Sequence, residues 1–185
     1  MLSETAAGPT YDVVLLLEQP LSRQDALQVR GLHDEIEEHV RYHVLLPVED
    51  AAARVESAMG SLAASEVLAS PALVMNEEDL ENIQHELLDN ARRELAASLG
   101  RLEQAGGDAV GDIVTIDPID ALATKVNEVD GREAIILTRP HVVAEFFHMD
   151  WTSRARRKIG VPVLHLLEHE TFDEQSGGGE GVTGM

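Results

Sequence analysis

Five short apolar runs alternate with helix-like segments along the chain, and this alternation constrains the fold more than any other feature. The runs are, in order, YDVVLLLEQP, VRYHVLLPV, AVGDIVTI, EAIILT and VPVLHLL. The first is apolar almost without interruption, which is typical of a strand buried on both faces of a parallel sheet. Strands alternating with helices predict a doubly wound α/β domain with a parallel five-stranded sheet.

The bounds of the strands follow from these runs. We predict strands at about 12–18, 40–46, 109–116, 133–138 and 161–167. Ser22 and Asp25 form a capping-box pattern that starts the first helix, which we expect to run to about Glu38. Its weak apolar stripe consists of Ala26, Val29, His33 and Ile36.

Three further helices are predicted. Asn76 is a candidate N-cap for a long amphipathic helix that ends near Gly106. Its apolar stripe consists of Leu80, Ile83, Leu87, Ala91, Leu95, Leu99 and Leu102. Asp117 followed by Pro118 predicts the start of the next helix, and residues 142–158 form the last one.

The length of 185 residues suits one domain with a full apolar core. We expect a flexible arm at 1–10, a single domain at 11–170 and a disordered acidic and glycine-rich tail at 171–185. Within the domain, residues 50–76 form an extended second connection. The chain has no cysteine, which excludes disulfides and thiolate metal sites.

The net charge of -20 repels nucleic acid and anionic membranes, so neither is an expected partner. No signal-like segment and no apolar run of about 20 residues is present, and we expect a cytoplasmic protein. Basic residues nevertheless concentrate in the last third of the chain. The cluster 154–158 either complements the end of a helix dipole or binds an anion.

Ligands of doubly wound sheets bind at the carboxyl ends of the strands, where the strand order reverses. We predict this point between the first and fourth strands. The residues that would meet there are Glu18, Gln19, Thr138, Arg139, Pro140 and His141.

Three segments, TIDPIDALATKV, EAIILTRPH and RRKIGVPVLHL, together resemble the universal stress protein family. The resemblance covers about residues 10–168 and implies the strand order 3-2-1-4-5. It also implies that the 50–76 connection is longer than is usual in the family.

Nucleotide-binding members of that family carry G-x2-G-x9-G-[S/T] after the fourth strand, because glycines let backbone N–H groups close on phosphates. Here Thr138, His141 and Trp151 stand at the glycine positions, and Thr152 keeps the hydroxyl. Glu18 is the counterpart of the acidic residue that meets the ribose. The resemblance therefore implies a degenerate nucleotide site, partly filled by Trp151, with ATP not bound and no cofactor.

Several alternatives stay open. Arg139 and His141 could bind a nucleotide or small anion in place of the glycine loop. A phospho-receiver-like domain would use Asp117 and Thr138, although the fifth strand ends without the lysine that such domains need. A diverged nucleotide hydrolase or transferase is the third alternative, but the usual catalytic motifs are absent. His141 and His148 have no third ligand nearby, so no metal site is predicted.

The resemblance also implies that the fifth strand pairs across a dimer axis. The residues of this dimer strand are Val161, Val163, His165 and Leu167. The leading hypothesis is a non-enzymatic homodimer in stress response or regulation, which acts through a protein partner or a small ligand.

Overall fold

The computed structural model describes residues 9–48, 77–138 and 158–167. They form a parallel five-stranded sheet of order β3-β2-β1-β4-β5, which confirms the predicted class and order. The strands are β1 (Thr10–Leu17), β2 (His39–Pro47), β3 (Asp108–Val114), β4 (Glu133–Thr138) and β5 (Val163–Leu167). The helices are α1 (Arg23–Gly31), α2 (Glu77–Gln104) and α3 (Pro118–Glu128).

Helices cover both faces of the sheet. On one face, Val13 and Leu15 of β1 share a buried cluster with residues of α1 and α2. On the other face, Val14 of β1 packs with Leu122 and Val126 of α3. The central strand is therefore buried on both sides, as its continuous apolar sequence predicts.

Helix α2 packs closely against β3. Its buried residues Leu87, Ala91, Leu95 and Leu102 belong to the predicted apolar stripe. A Cβ atom at Gly111 would lie 2.8 Å from Cδ1 of Leu95 and 3.0 Å from the Val44 carbonyl oxygen. Glycine at this strand position therefore permits the close approach of the helix.

The predicted start of α1 is confirmed, and its predicted end is wrong. The Ser22 side chain accepts a hydrogen bond from the Asp25 amide, and the Asp25 carboxylate accepts one from the Ser22 amide, both at 3.1 Å. The helix ends at Gly31 rather than near Glu38. The His33 amide donates to the Arg30 carbonyl instead of continuing the α-helical pattern, so His33 lies in a turn beyond the helix.

Other predicted bounds also shift. β1 already begins at Thr10, inside the predicted arm, and β3 ends at Val114 instead of Ile116. β5 begins at Val163, so Val161 is not a strand residue, because Gly160 turns the chain with φ +75° and Pro162 has no N–H to donate. The predictions for Asn76, the 50–76 connection and the 171–185 tail, and nearly all of the 142–158 helix, lie outside the described residues.

Candidate functional site

A cleft of about 380 Å³ lies at the carboxyl end of the sheet, where the strand order reverses between β1 and β4. Strand ends form one side of it, with the residues Leu16, Leu17, Glu18, Ile136, Leu137 and Thr138. Loop residues and the start of α3 form the other side, with Pro47, Asp117, Pro118 and Ile119. A volume of this order is typical of small-molecule sites.

The register of β1 against β4 places the central polar groups. Leu17 pairs with Leu137, and the Glu18 amide donates to the Leu137 carbonyl over 3.1 Å. Thr138 follows in the next position of β4. Glu18 and Thr138 therefore lie side by side at the mouth of the cleft.

The start of α3 contributes backbone amides that are already bonded. One oxygen of the Asp117 carboxylate accepts hydrogen bonds from the amides of Ile119 and Asp120, at 2.9 and 3.0 Å. Pro118, the first helical residue, has no N–H. The Ala121 amide donates to the Asp117 carbonyl over 3.0 Å. The first turn thus satisfies its own donors, which confirms Asp117 as the N-cap.

Thr138 is held by the neighbouring strand. Its hydroxyl lies 2.7 Å from Nε2 of His165 on β5, and the Thr138 residue is 8% exposed. Burial lowers the pKa of His165 below its ordinary value, so the ring is neutral at physiological pH. A neutral ring and a hydroxyl carry no charge that would attract an anion.

The structure places only part of the predicted site. Glu18 and Thr138 line the cleft, whereas Gln19 lies next to Glu18 but is not one of the lining residues. Arg139, Pro140, His141, Trp151 and Thr152 lie outside the described residues.

The sequence interpretation missed other lining residues. Pro47, Pro118 and Ile119 were not predicted to line the cleft, and Asp117 was interpreted as a helix cap and, in the receiver-like alternative, as a site carboxylate. The available signal was their position directly after β2 and β3, because carboxyl ends of parallel strands meet at one edge of the sheet.

The structure also bears on two further hypotheses, a receiver-like domain and a metal site. A receiver-like domain has the strand order 2-1-3-4-5, so the observed order removes this alternative. Among the described residues, no group of three potential metal ligands is close enough to hold a metal ion. No described helix has the length and apolarity needed to cross a membrane.

Strand β5 lies at one edge of the sheet, where it pairs only with β4 among the described strands. Val163, His165 and Leu167 of the predicted dimer strand are half-buried within the single chain. His165 in the middle of this strand is bonded to the Thr138 hydroxyl, so β5 holds one residue of the cleft lining from behind.

No protein-family model and no curated protein matches the sequence. Solved structures do match the fold. The hypothetical protein MJ0577 aligns with a TM-score of 0.58 and 12% identity, over 87% of this chain and 98% of the other. Hypothetical protein PH0823 aligns with a TM-score of 0.51 and 17% identity, over 85% of this chain and 97% of the other.

A universal stress protein family protein from Arabidopsis thaliana, determined with AMP bound, has a TM-score of 0.50 and 14% identity. The alignment covers 87% of this chain and 93% of the other. Because the sequence identities are low, the similarity to these solved structures establishes the fold alone. The chain therefore has the universal-stress-protein fold, with its cleft at the switch point between β1 and β4.

Proposed function

We propose that the chain is a non-enzymatic regulatory protein of the universal stress protein type that has lost tight ATP binding. The observation that carries this proposal is the chemistry of the cleft. Its described lining contains two carboxylates, Glu18 and Asp117, and no Lys or Arg. The absence of the common catalytic motifs from the sequence supports a role in binding rather than in catalysis.

A triphosphate needs hydrogen-bond donors, and three of the described amides at this cleft already have acceptors. The Glu18 amide is bonded to β4, and the amides of Ile119 and Asp120 are bonded to the Asp117 carboxylate. To accept from the amides of Ile119 and Asp120, a phosphate would have to displace that carboxylate and then lie beside it. The net charge of -20 adds repulsion at longer range, although salt screens it beyond about 8 to 10 Å.

Titration calorimetry with Mg-ATP tests this proposal. We expect a dissociation constant weaker than about 1 mM, which corresponds to about 4 kcal/mol of binding free energy. The Asp117→Asn variant is the matched control for the negative charge of the cleft. It removes one carboxylate charge but keeps the helix cap, because asparagine caps a helix as well as aspartate does. Micromolar binding of ATP by the unaltered protein would refute the proposal.

A second candidate function is nucleotide or small-anion binding through Arg139 and His141. The AMP bound to the Arabidopsis protein of the same fold favours it. Titration of AMP into the unaltered protein and into an Arg139→Ala, His141→Ala double variant separates the candidates. Binding that the double variant loses would establish the second candidate, and our first proposal predicts no measurable binding to either.

The proposal includes a homodimer formed through β5, in the cytoplasm, with a protein partner or a small ligand. Among the described strands β5 pairs only with β4, and pairing with a second copy would cover its other edge. Sedimentation at micromolar concentration should show a dimer. Val163→Lys should convert it to a monomer, and a monomer before substitution would contradict this part of the proposal.

A further inference from the structure

The loop between β1 and α1, residues 18–22, is tied to helix α2 at Leu21. The Leu21 amide donates to the Ser98 hydroxyl oxygen over 3.1 Å, and the Leu21 carbonyl accepts a hydrogen bond from the Arg101 guanidinium. Ser98 and Arg101 lie three positions apart in α2 and therefore share one side of the helix. Both backbone polar groups of one loop residue thus have their partners on α2.

This contact is buried, and its hydrogen bonds have a defined direction. Leu21 is 1% exposed and Ser98 is 0% exposed. The Ser98 hydroxyl donates to the Glu94 carbonyl over 2.9 Å, which leaves its oxygen free to accept from the Leu21 amide. Because both residues are shielded from solvent, removal of the hydroxyl would leave the Leu21 amide without an acceptor.

A second contact ties the other end of α1 to the end of α2. Nε of Arg30 donates to the Gly106 carbonyl over 3.5 Å. The spacing from Leu21 to Arg30 matches that from Ser98 to Gly106, at about 12 to 14 Å along a helix, so the two helices run side by side in the same direction. Apolar residues of the loop and of both helices also share one buried cluster, namely Leu21, Ala26, Val29, Leu95 and Leu102.

The same loop begins at the cleft. Glu18 lines the cleft, and its amide is bonded to the Leu137 carbonyl of β4. Ser22, the residue after Leu21, is the N-cap of α1. The chain between the cleft and α1 is therefore anchored to β4 on one side and to α2 on the other. Helix α2 supplies none of the described lining residues, so it acts on the cleft through this loop.

We propose that Ser98 and Arg101 are positioning residues that couple α2 to the cleft. The loop 18–22, α1 and the carboxyl half of α2 form one unit, so a displacement of α2 against the sheet moves Glu18 and changes the width of the cleft. The cleft is then regulated from the face of the sheet opposite α3. This coupling goes beyond the proposed function, because it holds whether or not the cleft binds ATP.

Native-state hydrogen exchange, followed by NMR, tests the coupling without any ligand. In Ser98→Ala we expect the Leu21 amide to exchange at least about tenfold faster, relative to the amide of Val44, a fully buried residue of β2. Arg92→Ala is the control, since Arg92 lies on the exposed side of α2 and pairs with Asp89. It should leave this ratio within about twofold. Equal acceleration of Leu21 and Val44 in Ser98→Ala would show a purely global loss of stability and would overturn the proposal.

The second readout is at the cleft. We expect the amide signal of Glu18 to move by more than its linewidth in both Ser98→Ala and Arg101→Met, and to stay in place in Arg92→Ala. Arg101 is only partly buried and methionine keeps much of its aliphatic length, so Arg101→Met decides the question even if Ser98→Ala does not fold. An unmoved Glu18 signal in the folded variants would show that the contact with α2 ends at the loop, and would overturn the coupling.

Discussion

The two ends of the parallel sheet use carboxylates, a histidine and hydroxyl groups in opposite ways. At the amino end, His33, Glu133, Tyr11 and Tyr42 bond to one another inside the fold. At the carboxyl end, Glu18, Asp117 and Thr138 line a cleft. The first arrangement ties elements together, and the second leaves space for a ligand.

The amino-end network is centred on His33, which is 2% exposed. Its Nδ1 lies 3.0 Å from the Val29 carbonyl oxygen and 2.9 Å from the Tyr42 hydroxyl, and its Nε2 is bonded to the Glu133 carboxylate. A carbonyl only accepts, so Nδ1 donates to it. The other nitrogen faces the Glu133 carboxylate, so each ring nitrogen has a partner inside the fold.

This network joins the end of α1 to three strands. Tyr11 of β1 donates to Glu133 of β4 at 3.5 Å, and the Arg132 guanidinium lies 5.3 Å from the centre of the Tyr11 ring. Tyr42 comes from β2. Polar groups at the amino end therefore join a helix to three strands inside the fold, whereas those at the carboxyl end line a cleft.

The largest expected effect follows from removing the centre of the network. His33→Ala should lower the free energy of unfolding by about 3 kcal/mol, because Glu133, Tyr42 and the Val29 carbonyl lose their partner. Denaturant unfolding measures this change. Leu27→Ala on α1 is the control, since Leu27 is 53% exposed and its loss should cost about 0.5 kcal/mol or less. Equal stability of the two variants would remove the contrast between the ends of the sheet.

The next effect depends on pH. Burial raises the pKa of Tyr42 from 10.0 to about 12. The unfolded chain therefore releases this proton first, and stability falls as the pH rises from 10 to 12. The expected loss from Tyr42 is about 1.4 kcal/mol at pH 11, at 1.36 kcal/mol per pKa unit. The Tyr42→Phe variant should not show this loss of stability. The measurement is the free energy of unfolding between pH 10 and pH 12, and the same pH dependence in both proteins would contradict the prediction.

A smaller effect is expected at the start of α3. Asp117→Ala removes the acceptor of two amides and should destabilise the protein by about 1 kcal/mol, whereas Asp117→Asn should cost a few tenths. Thermal unfolding compares the two variants. A similar loss in both would indicate that the charge of Asp117, rather than its capping oxygen, supports the fold.

The smallest effect is expected for the other cleft carboxylate. Glu18→Gln should change the free energy of unfolding by no more than about 0.5 kcal/mol, because the side chain is only partly buried and polar contacts of such side chains contribute little. Chemical unfolding at pH 7 measures it. A loss above about 1.5 kcal/mol would mean that this end of the sheet also depends on its polar side chains for stability.

The sequence by itself determined the class of fold, the positions of its strands and two helix starts. Apolar runs that alternate with helical patterns leave few arrangements other than a parallel sheet covered on both faces. The capping signals of Ser22 and Asp117 were readable because the donor and the acceptor lie within three residues of each other. Glu18 and Thr138 were placed in the cleft for a similar reason, since each directly follows or ends a predicted strand.

Only the tertiary structure decided the rest, because those contacts join residues distant in sequence. The sequence pattern assigned His33 to the apolar stripe of the first helix. In the structure α1 already ends at Gly31, and His33 bonds to Glu133, which lies 100 residues away in the sequence. Likewise, Pro47 and Ile119 line the same cleft as Thr138 only because four strands pair in the observed order. Local sequence specifies where an element starts, whereas strand pairing and burial select which polar groups become partners and which remain around a cavity.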